Sequence, residues 1–218
     1  KSLSVNNGAV AVSNNSFTMP AGNVTISAVF EKIAYTVTIS SATGGTIKAD
    51  KSNANYGDKI TLTVTPNTGY KLKSLSVNNG AVAVSNNSFT MPNGNVTVTA
   101  VFEKIAYTIT IASVNGGVIT ANKTTANYGD SITLTITAGT GYKLKSYSVK
   151  CGSTDVTVSN NGFTMPAGNV TITPAFEKIA YTVTVASVTG GSVKVDKTTA
   201  NYGDTITLTA TASTGYKL

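Results

Sequence analysis

The side chains able to carry acid–base or nucleophilic chemistry are few: nine carboxylates, 16 lysines and a single cysteine, Cys151, with no histidine. General acid–base catalysis near neutral pH most often relies on imidazole, and this chain has none. The carboxylates fall mostly in turn patterns and linkers, with no close pair on one strand pattern. Serine and lysine are both available for a Ser–Lys dyad, but no spacing singles one out. The residues name no catalytic, cofactor-binding or metal-binding side chain. The expectation is a protein that is not an enzyme and takes no cofactor.

Five features deserve a chemical reading of their own. Asn-Tyr-Gly-Asp begins at Asn55, Asn127 and Asn201. One carboxylate per copy is far short of the roughly six to eight oxygens that Ca²⁺ takes, so a turn in which Asp58 bonds its own backbone is expected. Met19-Pro20, Met91-Pro92 and Met165-Pro166 read as methionines filling core gaps before a turn, in preference to a binding stripe. Asn-x-Ser/Thr sequons stand at Asn14, Asn23, Asn86, Asn95, Asn122 and Asn169; they are glycan acceptors in some secreted proteins, but Asn/Thr-rich repeats also generate them by chance. Cys151 lies in the variant turn Lys150-Cys151-Gly152. An intermolecular bond or an attachment point is open to it, and a neutral substitution in one copy is the simpler reading. A Lys–Asn isopeptide cross-link needs a buried triad, and no lysine sits within an apolar strand pattern.

The composition indicates what holds these residues. Thr and Val favour strands, Asn and Gly supply turns, and Arg, Trp and Gln are absent. The formal charge of +7 divides evenly along the chain, with no block of consecutive lysines. Base reading leans on Arg and strand binding on clustered aromatics, so nucleic acid is not an expected partner. No run of about 18 apolar residues exists to span a membrane. A lone cysteine forms no intrachain disulfide. The balance is that of a polar-surfaced, β-rich, extracellular protein.

Internal periodicity dominates the chain. Lys1 to Thr36 and Lys73 to Thr108 match at 33 of 36 positions, differing only at Ala21/Asn93, Ile26/Val98 and Ser27/Thr99. Phe-Thr-Met-Pro recurs at Phe17, Phe89 and Phe163, and Gly-Tyr-Lys-Leu at Gly69, Gly141 and Gly215; the period is 72 and then 74 residues, the extra two falling around Ser153 to Asp155. The Glu-Lys-Ile-Ala stretches between strand patterns set the expected boundaries: a partial repeat over 1–32, complete repeats over 33–104 and 105–178, and a partial repeat over 179–218. With no Gly, Pro or Ser in the linker, successive repeats are expected to be held stiffly end to end. Because the chain opens inside a repeat, it is expected either to be cut from a longer polypeptide or to be a subunit whose split repeats complete one another by strand addition.

Period-two alternation predicts strands over Tyr35–Ile39, Thr46–Ala49, Ile60–Thr65, Leu72–Val77, Phe89–Met91 and Val96–Phe102. Asp50–Asn55 reads as a loop or a short helical turn, and no window supports a longer amphipathic helix. In the second complete repeat the expected core is Tyr107, Ile109, Ile111, Ile132, Leu134, Ile136, Tyr142, Leu144, Phe163, Val170 and Phe176.

The succession Tyr-Thr-Val-Thr-Ile, Asn-Tyr-Gly-Asp, Gly-Tyr-Lys-Leu, Phe-Thr-Met-Pro-x-Gly-Asn-Val-Thr and Val-Phe-Glu resembles the divergent internalin-type B repeat over essentially the whole chain. That family occurs in tandem in large surface proteins, mostly of Gram-positive and related bacteria. The resemblance implies a compact β-grasp-like fold and brings no catalytic residues. The overall expectation is an all-β tandem array of small β-grasp-like or β-sandwich-like repeats of about 72 residues. Its expected role is a stalk or extracellular filament whose partners are neighbouring repeats or itself, end to end. The alternative is an adhesive module with avidity for glycan, cell-wall polymer or host protein, carried by exposed Tyr70, Tyr142, Lys71 and Lys73.

Overall fold

The computed structural model describes residues 2–218. The chain divides into two compact units, Lys1–Glu103 and Lys104–Leu218. Among the described residues there is no α-helix.

The first unit opens with β1 (Ser2–Val5) paired antiparallel to β2 (Ile26–Val29). Seven strands follow: β3 (Ala34–Ile39), β4 (Gly45–Ala49), β5 (Asn53–Asn55), β6 (Lys59–Pro66), β7 (Tyr70–Val77), β8 (Ser88–Thr90) and β9 (Val96–Lys104). They form a four-stranded sheet in the order β5-β3-β9-β7 and a three-stranded sheet in the order β4-β6-β8. The longer strands turn their Val, Ile, Leu or Phe face inward and their Thr, Ser or Lys face out, as half-buried strands must, while the short β5 buries Ala54. The two inner faces enclose one core, built on Ile60, Leu62, Val77, Phe89, Met91, Val96, Val98 and Phe102. The first and last strands lie side by side and parallel, with Val37 opposite Val96 and Ile39 opposite Val98. The result is a small β-sandwich with a mixed sheet. Asp50–Asn55, read as a loop or helical turn, contains a strand instead. β5 pairs with β3 across Ala34–Asn55, Tyr35–Ala54 and Thr36–Asn53, and this partner, far away in sequence, overrides weak local propensity.

The second unit repeats the plan with β10 (Ala106–Ile111), β11 (Gly117–Ala121), β12 (Thr125–Asn127), β13 (Ser131–Ala138), β14 (Tyr142–Cys151), β15 (Thr154–Asp155), β16 (Gly162–Thr164) and β17 (Val170–Lys178). Its sheets run β12-β10-β17-β14-β15 and β11-β13-β16, and β10 again runs parallel to β17. Where the first sandwich has a tight 3-10 turn at Asn78–Gly80, with Asn78 and Asn79 at positive φ, the two additional residues extend β14 and add the hairpin strand β15. Of the expected core, Ile109, Ile132, Leu134, Phe163 and Val170 are buried, while Tyr107, Ile111, Ile136 and Phe176 pack against them half-buried. Tyr142 and Leu144 are half-exposed outside that cluster. Ile119, Ala126, Val149, Met165 and Ile172 complete the core.

The unit ends in an open half-sandwich. There β18 (Ala180–Thr182) pairs with β20 (Thr199–Asn201), and β19 (Gly191–Val195) with β21 (Leu208–Ala212).

Candidate functional site

The recurring motifs meet in space, and their meeting points are the sites to be judged. In the Asn-Tyr-Gly-Asp turn the Asp58 carboxylate accepts the Asn55 N–H at 3.0 Å, with Gly57 at φ +86. The turn is also clasped by the Phe-Thr-Met-Pro segment: Gly57 N–H donates to the Met91 carbonyl at 2.9 Å, and Met91 N–H to the Asp58 carbonyl at 2.8 Å. Gly129, Asp130 and Met165 repeat this clasp at 2.9 and 2.8 Å. Met91 and Met165 are fully buried beneath it. The two motifs are thus one structural lock, which their separation in the sequence conceals. Among the described residues no three His, Cys, Asp or Glu side chains gather as a metal site would require.

The Gly-Gly turn before β4 is a second lock. A β-carbon on Gly44 would stand 2.5 Å from the Tyr70 ring, and one on Gly45 would collide with the Phe102 ring. Gly116 and Gly117 take Tyr142 and Phe176 in the same way. Only glycine leaves room for both rings, and Gly44 and Gly116 also need their positive φ. Tyr70 and Tyr142 are therefore not the free, exposed tyrosines expected of a binding surface. In the complete sandwiches the tyrosines that do face solvent are Tyr56 and Tyr128, of the Asn-Tyr-Gly-Asp turns.

Lys71 and Lys73 are exposed, but both reach Glu103, at 3.1 and 3.7 Å; Lys143 and Lys145 reach Glu177 at 3.2 and 3.9 Å. The register that sets Lys143 directly opposite Glu177 on β17 produces this ladder. The Lys71 ammonium, with Lys73 beside it, holds the Glu103 carboxyl below its ordinary value. Lys123, 2.9 Å from Asp130, and the Asn127 N–H do the same for Asp130. For Asp204 the Asn201 N–H is the main cause. These exposed pairs are screened and individually weak.

Three of the sequon asparagines have a structural task that sequence reading missed: Asn122 Oδ1 accepts the Thr133 N–H at 3.0 Å, and the other two join strand to turn. Asn95 Oδ1 accepts the Thr36 N–H at 2.9 Å, and Asn169 Oδ1 accepts the Thr108 N–H at 2.9 Å. Each side chain ties the first strand of a sandwich to the turn that precedes its last. Asn78 Oδ1 likewise accepts the Thr97 N–H at 2.8 Å. Cys151 is half-buried, unpaired and packed over Gly168. No charged side chain is buried among the described residues, so none of their lysines stands where an isopeptide triad would need it.

The joint between consecutive repeats is visible inside the second unit. A single residue, Ile179, separates β17 from β18, and its N–H donates to the Gly141 carbonyl at 2.8 Å. Tyr202, of the following Asn-Tyr-Gly-Asp turn, lies directly on Gly141, where a β-carbon would collide with its own.

A chain built from copies of one small β-sandwich, locked by turn glycines and buried methionines, is a tandem-repeat array. A family model confirms this and gives the class its name: the chain belongs to the divergent InlB B-repeat family, matched over residues 1–34, 35–106, 107–180 and 181–218. It is a family of repeat domains, found in bacterial surface proteins. No curated protein matches the chain.

Proposed function

We propose that this chain is a structural segment of a bacterial surface protein, a stretch of stalk or filament outside the cell, and that it performs no catalysis. The observation that carries the reading is the joint at Gly141. A one-residue link, tied by a backbone hydrogen bond and pressed by Tyr202, suits a spacer that transmits position from one repeat to the next. The recurring residues support the same reading, because they are spent on locking each sandwich and not on presenting a pocket.

The partial repeats fit such an array. In the halves at residues 1–32 and 179–218, Met19, Phe30 and Leu208 are exposed, whereas Met91, Phe102 and Leu62 at the same places in the complete sandwich are buried. Each half is completed by its missing counterpart, carried either by a continuing polypeptide or by a second copy of the chain through strand addition. The Phe30 ring then takes the place on Gly191 that Phe102 takes on Gly45. Gly191 borders an open cavity of about 190 Å³.

The test is surface labelling of the producing bacterium with antibody to the chain, followed by electron microscopy of displayed arrays differing in repeat number. The reading expects surface label whose distance from the envelope grows with each added repeat. Cytoplasmic label, or a distance that ignores repeat number, would contradict it.

A further inference from the structure

We infer that each complete sandwich is built as a tensile clamp, with its first and last strands carrying the load and the asparagine of Gly-Asn-Val-Thr extending the clamp by one bond. The inference rests on the reading of the chain as a spacer held at both ends, and it names what that spacer resists.

The argument is one of topology. The chain enters the first sandwich at Ala34, the start of β3, and leaves at Lys104, the end of β9. These strands are adjacent and parallel, in the register Val37–Val96, Thr38–Thr97 and Ile39–Val98. Tension on the two ends therefore pulls β3 toward its start and β9 toward its finish, in opposite directions along the strand axis. Slanted, evenly spaced hydrogen bonds of a parallel ladder are then loaded together and must break together. The inter-strand bonds outside the ladder proper add to it: Ser40 N–H to the Val98 carbonyl at 2.9 Å, and Thr36 N–H to Asn95 Oδ1 at 2.9 Å. Because β3 hands its load directly to β9, strands β4 to β8 lie off the force path until the clamp yields.

The second sandwich has the same device: Ile109–Val170 to Ile111–Ile172 in parallel, Ala112 N–H to the Ile172 carbonyl at 2.9 Å, and Thr108 N–H to Asn169 Oδ1 at 2.9 Å. It lacks one tie. In the first sandwich the Tyr35 hydroxyl donates to Asn93 Oδ1 across the same seam, whereas the second has Ala167 at that place. The open half that begins at Ala180 has no last strand to clamp, and its first strand is only three residues long.

The experiment is single-molecule pulling of the full chain, comparing two directions in one protein. Gly94→Cys, made with Cys151→Ser, provides an attachment point at a turn where a side chain meets nothing within 4 Å. Pulling between the N-terminus and residue 94 draws β3 and β9 apart from their common end, so their bonds break one at a time. Pulling between the two termini loads the clamp. The expected record for the termini is two steps, each releasing about 200 Å of chain, at forces several-fold higher than for the first sandwich pulled through residue 94. The first sandwich outlasts the second, and Asn93→Ala removes that difference. Asn95→Ala lowers the force of the first sandwich alone in end-to-end pulling and leaves its force through residue 94 nearly unchanged. A residue that merely stabilised the fold would lower both. Equal forces in the two directions, or an Asn95→Ala effect of the same size in both, overturns the clamp. Neither result touches the spacer reading, which is tested separately by surface location and length.

Discussion

The complete sandwich of the first unit and the open half that precedes it are nearly the same sequence in two structural contexts. Over the shared stretch, residues 1–32 against 73–104, they differ at three positions in 32. Yet Met91 is 0% exposed and Phe102 8%, while Met19 is 60% and Phe30 85%. Residues 88–90 form β8 and residues 96–104 form β9, whereas residues 16–18 form no strand and only Ile26–Val29 does around the second place. The far end behaves alike: β10 has six residues and β18 three, and β13 covers Ser131–Ala138 where β21 covers only Leu208–Ala212. The lost strand residues include those whose partners sit in the other half of a repeat: 183–185 and 205–207 in the tail, 16–18 and 24–25 in the head. In this fold β structure is conferred by the partner, not by the propensity of Thr and Val alone.

The largest test of that difference is a truncation made in both contexts. Met91→Ala should destabilise the first sandwich by about 2–5 kcal/mol, as emptying a buried site does. Met19→Ala in the monomeric chain should cost close to nothing. Urea unfolding of the two variants, followed by amide exchange to assign the transitions, checks the contrast. Next in size is the Gly-Gly lock. Gly117→Ala should destabilise the second sandwich by about 1–3 kcal/mol, the usual cost of overpacking, because the new methyl meets the Phe176 ring. Gly22→Ala, in a turn where a β-carbon meets nothing, should leave the melting temperature within a degree or so of the parent.

The third contrast concerns one hydrogen bond. Asn169→Ala leaves the Thr108 N–H without its acceptor and should cost about 1 kcal/mol, with faster exchange at that amide. Asn23→Ala, in the open head, should change neither quantity. The smallest effect is electrostatic. Lys71 holds the Glu103 carboxyl below its ordinary value, so the charged form is favoured by folding. That contribution is present at neutral pH and fades as the pH falls through the depressed folded-state value. Carboxyl-carbon NMR should place the Glu103 midpoint below that of the unfolded chain, and Lys71→Ala should move it up toward the usual carboxylate range. An unmoved midpoint would show that the ladder is electrostatically idle.

Much of the fold was legible beforehand, because alternation of apolar and polar residues is a local signal. The strands at Tyr35–Ile39, Ile60–Thr65 and Val96–Phe102 needed no partner to be recognised. What escaped was long-range. The strand β5 depends on β3, the clasp of Gly57 and Asp58 on Met91 joins motifs some thirty residues apart, and Asn95 serves an amide 59 positions away. Val149 and Ile172 were missed as core residues, although they face each other across β14 and β17. The tyrosines of Gly-Tyr-Lys-Leu were misjudged for a related reason. An aromatic next to lysines looks solvent-facing until the glycine turn that receives its ring is known to lie beside it. The absence of named catalytic residues was a reading of composition, and composition is fully visible in a sequence.

Amide hydrogen exchange on the full chain, held dilute enough to sediment as a monomer, tests most directly the claim that a repeat is closed by its first and last strands. The account predicts strong protection at the amides of Thr36 and Ser40, which donate across the closing seam to Asn95 and Val98, and near-random-coil exchange at the matching residues of the open tail, Thr182 and Ala186. Equal protection in the closed and open copies would contradict it, because the strands would then owe nothing to the partners that close them.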